Sequence, residues 1–90
     1  MILAKVTGHV VATQKCAELR GSNLLLITAL DDALQPREDK TWVAVDSVGA
    51  GLNDIVLAEA RFALTPERFR AMSIVAIVEN VFREQPGGKR

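Results

Sequence analysis

What this chain has little of narrows its function before any motif is considered. Cys16 is the only cysteine in 90 residues. Neither an intrachain disulfide nor a cysteine-built zinc cage is open to it, and a reducing compartment suits it. His9 is the only histidine. No spaced set of carboxylates accompanies it as a metal site requires, and no acid neighbours Cys16 to form a nucleophile pair. Trp42, Phe62, Phe69 and Phe82 are the only aromatic side chains, and acidic and basic residues balance at 11 each. Single-stranded nucleic-acid binders pair several aromatic platforms with a basic groove, so this chain lacks both the stacking surface and the long-range attraction to phosphate. No apolar run approaches the ~20 residues of a membrane helix. The opening residues 1–15 carry no basic segment ahead of an apolar stretch, so they read as a strand and not as a signal peptide. A soluble, cytoplasmic protein is expected, with no nucleic acid or membrane as partner.

The residues that are present describe a small β domain. Val, Leu, Ala and Ile dominate a composition that is 49% hydrophobic, which suits an ordered core. Residues 2–13 alternate: Ile2, Ala4, Val6, Val10 and Ala12 on one face, Lys5, Thr7 and His9 on the other. Gly8, mid-strand on the apolar face, predicts a bend or a close neighbour. Residues 24–27, Leu-Leu-Leu-Ile, predict a strand buried on both faces. Residues 31–40 are polar and contain Pro36, which marks a turn region. Residues 41–46 alternate again, with Val43 and Val45 opposite Trp42, Ala44 and Asp46, and complete a hairpin. Residues 55–58 and 73–78 are the fourth and fifth strands. Thr65-Pro66-Glu67 signals the start of a short helix between them. The fold class is therefore mainly β: a small five-stranded barrel of the oligonucleotide-binding type with one short helix. Residues 1–84 form one domain, and residues 85–90 form a flexible tail.

The segment joining the third and fourth strands contains Asp46, Ser47, Val48, Gly49, Ala50, Gly51 and Asn53. Three small residues in a row let backbones crowd together, at a ligand or around a symmetry axis. A dinucleotide fingerprint would need a third glycine where Asp54 stands, followed by a helix; no Lys-Ser/Thr pair marks a P-loop. Asp46 ends an apolar strand where its carboxylate can accept loop amide hydrogens, and this structural role is favoured over a pore or ligand role. The acid pairs Asp31-Asp32 and Glu38-Asp39 flank a polar turn and read as solvated. No catalytic residue, metal site or cofactor is expected.

Four segments, in order, resemble one family. Residues 3–13 resemble its opening strand, Leu-Ala-x-Val-x-Gly-x-Val-Val-x-Thr. Residues 24–27 resemble its second strand. Residues 43–51 resemble its Asp-x-Val-Gly-Ala-Gly loop, followed here by Val56-Leu57. Residues 73–78 resemble its last Ile-Val-x-Ile-Val strand. The family is that of the bacterial microcompartment vertex proteins of the EutN/CcmL type. The chain departs from its pattern at Asn53-Asp54-Ile55 and at Ala58-Glu59-Ala60-Arg61-Phe62, which lacks the family's serines. The resemblance implies a non-enzymatic shell protein. It would assemble as a homopentamer and close the vertices of a microcompartment shell, with hexameric shell proteins as its other partners. The residues of the glycine loop would then edge the ring axis or pore. The competing reading is a monomeric or dimeric barrel that binds a ligand or nucleic acid.

Overall fold

The computed structural model describes residues 1–14, 21–60 and 72–82. Five strands, β1 (Ile2–Val10), β2 (Asn23–Leu30), β3 (Pro36–Asp46), β4 (Ile55–Ala60) and β5 (Met72–Val78), close into a barrel in the order β1-β2-β3-β5-β4. All pairings are antiparallel except β3 with β5, which is parallel and runs only from Ala44↔Met72 to Asp46↔Ile74. Closure leaves the sheet no open side, which is how a short all-β chain avoids edge-to-edge association. The mainly β, five-stranded barrel expected from the alternation is thus the fold. The helix expected from Thr65 onward and the tail from residue 85 lie outside the described residues.

The core is built from alternate residues of each strand. Ala4, Val6, Leu25, Ile27, Ala44, Val56, Ala58 and Ile74 form one buried cluster. Small alanines set against larger branched residues let five strands converge without overpacking. Val6, Ile27, Val56 and Ile74 are the largest fully buried side chains, and each stabilises the fold by about 1.5–3 kcal/mol. Leu24 and Val45 are also buried, with Val10 and Val43 packed against them. In the ladder Leu25 pairs with Ala44 and Ile27 with Trp42, while Leu24 pairs with Val45 and Leu26 with Val43. Successive side chains point to opposite faces, so the run at 24–27 is apolar on both sides of the wall, as its sequence predicted.

Three register shifts interrupt the ladders, and those in β1 and β3 amend the strand readings. The β1–β2 register slips between Val6↔Ile27 and Gly8↔Leu26, so Thr7 is an extra residue. A bulge of one residue moves every later side chain to the other face. Val10 therefore sits opposite Leu24 in the second cluster and His9 sits opposite Leu25, where unbroken alternation placed Val10 with Ala4 and Val6. The close neighbour expected at Gly8 is Leu26: a Cβ there would stand 3.2 Å from Leu26 Cδ1.

The second irregularity lies in β3, which begins earlier than expected, at Pro36. Its pairs are Leu30↔Pro36 and then Thr28↔Thr41, so the charged residues 37–40 oppose Ala29 alone. Pro36 is tolerated as the first residue of its strand. The polar stretch remains an excursion in the ladder although its backbone is extended. Beside it, Thr28 is buried and its hydroxyl lies 3.0 Å from those of Thr7 and Thr41, a satisfied chain across three strands.

Candidate functional site

The loop after β3 is folded back onto the end of the barrel, and Asp46 is the reason. Alternation from Ala44 puts Asp46 on the inner face, where it pairs with Asn23 on one side and Ile74 on the other. It is only 7% exposed. A carboxylate that buried requires donors, and the loop supplies three. Oδ1 accepts from the amides of Val48 (3.1 Å) and Gly49 (3.2 Å), and Oδ2 accepts from that of Ala50 (3.0 Å). The chain must curl tightly for three consecutive amides to reach one carboxylate. Gly49, at φ +84°, provides the left-handed turn that a side chain would resist. Ala50 then packs against the core cluster.

The second half of the loop is tied to β1. The Gly51 amide donates to Asp54 Oδ2 (2.8 Å), and the Asp54 amide donates to the Gly51 carbonyl (3.0 Å). The Asn53 amide donates to the Val6 carbonyl, and the Val6 amide donates to the Asp54 carbonyl, both at 2.9 Å. Asn53 adopts φ +72°, a conformation asparagine tolerates better than most residues. These two bonds land next to the bulge at Thr7, so the irregularity in β1 and the loop after β3 meet.

The seven sequence-selected residues thus lie in one loop but fall into two groups. Asp46 and Ala50 face inward and hold the loop down. Ser47, Val48, Gly49, Gly51 and Asn53 are exposed. The accessible surface is small, polar or aliphatic and offers no acid or base for chemistry. The Asp46 loop bonds match the amide-acceptor role expected from the sequence. The role of Asp54 and the bonds to Val6 are not evident from the sequence, although Asn and Asp side by side are common in turns.

A groove of about 390 Å³ opens beside the loop, between the end of β1 and the start of β2. His9, Val11, Asn23, Leu25, Asp46 and Ala50 are among the residues that line it. His9 reaches it because the bulge turns His9 to the side of Leu25, a placement that no local pattern reveals. Among the described residues no three His, Cys, Asp or Glu side chains come together as metal ligands, and no helix is long and apolar enough to cross a membrane.

Comparison with known proteins points the same way along almost the whole chain. The family described as "Ethanolamine utilisation protein EutN/carboxysome" matches residues 1–79. The carboxysome shell vertex protein CcmL of Synechocystis sp. is 50% identical over 68 residues, covering 76% of this chain and 67% of that protein. The bacterial microcompartment shell vertex protein PduN of Salmonella typhimurium is 39% identical over 89 residues, covering 90% of this chain and 98% of that one. Among solved structures, the GrpN pentameric microcompartment shell protein from Rhodospirillum rubrum superimposes with a TM-score of 0.77 at 35% identity, over 94% of this chain and all of that one. With its five-stranded barrel and its Asp-anchored glycine loop, the chain belongs to the EutN/CcmL family.

Proposed function

We propose that the protein is a structural component of a bacterial microcompartment shell in the cytoplasm. Five copies form a ring that occupies a shell vertex. The carrying observation is the near full-length similarity to shell vertex proteins, together with a fold shared with a pentameric shell protein. A five-fold unit set among six-fold tiles introduces curvature, so hexameric shell proteins are the partners this role requires. The protein performs no turnover in this reading, and no cofactor takes part.

The glycine loop lies at the ring axis. Its anchoring supports that placement: the only buried carboxylate among the described residues is held by three amides beneath the loop. What remains for neighbouring copies to meet is backbone, small side chains and the exposed Val48 and Leu52, with Ser47 and Asn53 as the polar rim. Five copies approach one another closely only where side chains are small.

Native mass spectrometry at micromolar concentration tests the ring. A mass of five chains is expected. A monomer or dimer throughout that range would favour the ligand-binding barrel. Gly51→Arg tests the loop. The nearest heavy atom to a Cβ at Gly51 is Asp54 Oδ2 at 3.8 Å, so the single chain has room for a side chain there. The variant is expected to keep the thermal stability of the barrel and to lose the five-chain mass. Retention of the ring would remove the loop from the axis.

A further inference from the structure

Thr28 is buried although it points away from the core. Its neighbour Ile27 belongs to the core cluster, so Thr28 faces out of the barrel wall, yet it is only 3% exposed. Both ladders of β2 slip beside it. The β1–β2 register shifts at Thr7, and the β2–β3 register shifts just beyond Thr28↔Thr41. The Thr28 hydroxyl lies 3.0 Å from the hydroxyl of Thr7 and 3.0 Å from that of Thr41, so it touches a residue at each slip.

The contact with Thr7 depends on the bulge. Lys5 stands opposite Thr28. Without the slip, Thr7 would stand opposite Leu26, diagonal to Thr28, and diagonal positions are about 7–8 Å apart. Two short side chains do not span that distance. The direction of the bonds follows from the supply of hydrogens, since each threonine hydroxyl has one to donate. The Thr41 hydroxyl donates to the Glu38 carbonyl at 3.5 Å. It therefore accepts from Thr28, and Thr28 accepts from Thr7. The buried hydroxyl both donates and accepts, and the chain ends on the backbone of the charged excursion.

We infer that the Thr28 hydroxyl is the positioning group for the second half of the glycine loop. That half is received on β1 by two backbone bonds of 2.9 Å, from the Asn53 amide to the Val6 carbonyl and from the Val6 amide to the Asp54 carbonyl. Val6 is the last residue paired before the slip. Holding Thr7 fixes where the slip falls, and so fixes Val6 as the place where the loop lands. The first half of the loop is held by Asp46, whose bonds to the amides of Val48, Gly49 and Ala50 do not pass through β1. The hydroxyl chain therefore orders residues 53–54 and leaves those three amides unaffected. It operates within a single chain.

Amide hydrogen exchange followed by NMR on the full chain tests this, with the variants Thr28→Val, Thr7→Val and Thr28→Ser. Valine keeps the shape of threonine and removes the hydroxyl. Thr7 and Thr41 are exposed, so water replaces the partner each loses in Thr28→Val. Thr28→Val is expected to speed exchange of the Val6 and Asn53 amides about 10-fold, with Val48, Gly49 and Ala50 unchanged. Thr7→Val is expected to do the same. Thr28→Ser, which keeps the hydroxyl, is expected to exchange like the wild type. Equal acceleration at all five amides in Thr28→Val would mean a general loosening and would overturn the inference. Unchanged rates at Val6 and Asn53 in that variant, or a Thr28→Ser protein that exchanges as fast as Thr28→Val, would also overturn it. If Thr28→Val does not fold, Thr7→Val, at an exposed position, is read by the same criteria.

Discussion

Two loops of this barrel are built around the same device and reach different ends. At the β2–β3 connection, Asp31 Oδ1 accepts the amides of Ala33 (2.8 Å) and Gln35 (2.9 Å), and Leu34 takes a positive φ of 61°. After β3, Asp46 accepts three amides, and Gly49 takes φ +84°. The difference is burial. Asp31 is exposed, its loop is followed by the charged excursion at residues 37–40, and nothing in that loop enters the core. Asp46 stands on the inner face, Ala50 packs on the core cluster, and the far end of the loop is bonded to Val6. The first loop is a local turn that solvent would otherwise satisfy. The second is part of the tertiary structure, because water cannot replace the partners of a buried carboxylate at no cost.

Substitutions can break that contrast, and burial and backbone conformation rank them. Asp46→Ala leaves three loop amides without their acceptor beside the core, and a loss of about 3 kcal/mol is expected. In thermal unfolding at fixed protein concentration this is roughly 15 °C for a domain of this size. Gly49→Ala meets no heavy atom within 4 Å, so only the positive φ opposes it. About 1 kcal/mol is expected from urea unfolding. Asp31→Ala removes two amide bonds that water can replace, and about 0.5–1 kcal/mol is expected. If it destabilised the protein as much as Asp46→Ala, burial would not be what separates the loops. Arg37→Ala breaks an exposed ion pair to Asp39 whose N···O distance is 3.6 Å. Its unfolding midpoint should stay close to that of the wild type, since such pairs contribute about 0–1 kcal/mol.

Much of this was legible in the residues because it is periodic or local. The alternation of residues 41–46 put Asp46 on the face of Trp42 and Ala44, and the ladder agrees. The all-apolar run at 24–27 announced burial on both faces, and Leu24, Leu25 and Ile27 are buried. An aspartate ahead of small residues signalled amide capping, and the three bonds are there. Beyond Gly8, periodicity misled: one extra residue turns Val10 and His9 to the opposite faces. The glycine signalled that something happens there, but not that the register slips.

The sequence of this protein was enough for its fold class, its strand faces away from the bulges and its family, because these depend on side-chain alternation and on turn chemistry within a few residues. The fold was needed for everything that depends on separated segments meeting. It brings the Asn53 amide and the Asp54 carbonyl onto Val6 across a closed sheet, carries β5 past the end of β3, and opens a groove beside the loop. Those relations follow from barrel closure and shear, which fix how far each strand is offset from its neighbours. No stretch of sequence encodes that offset locally.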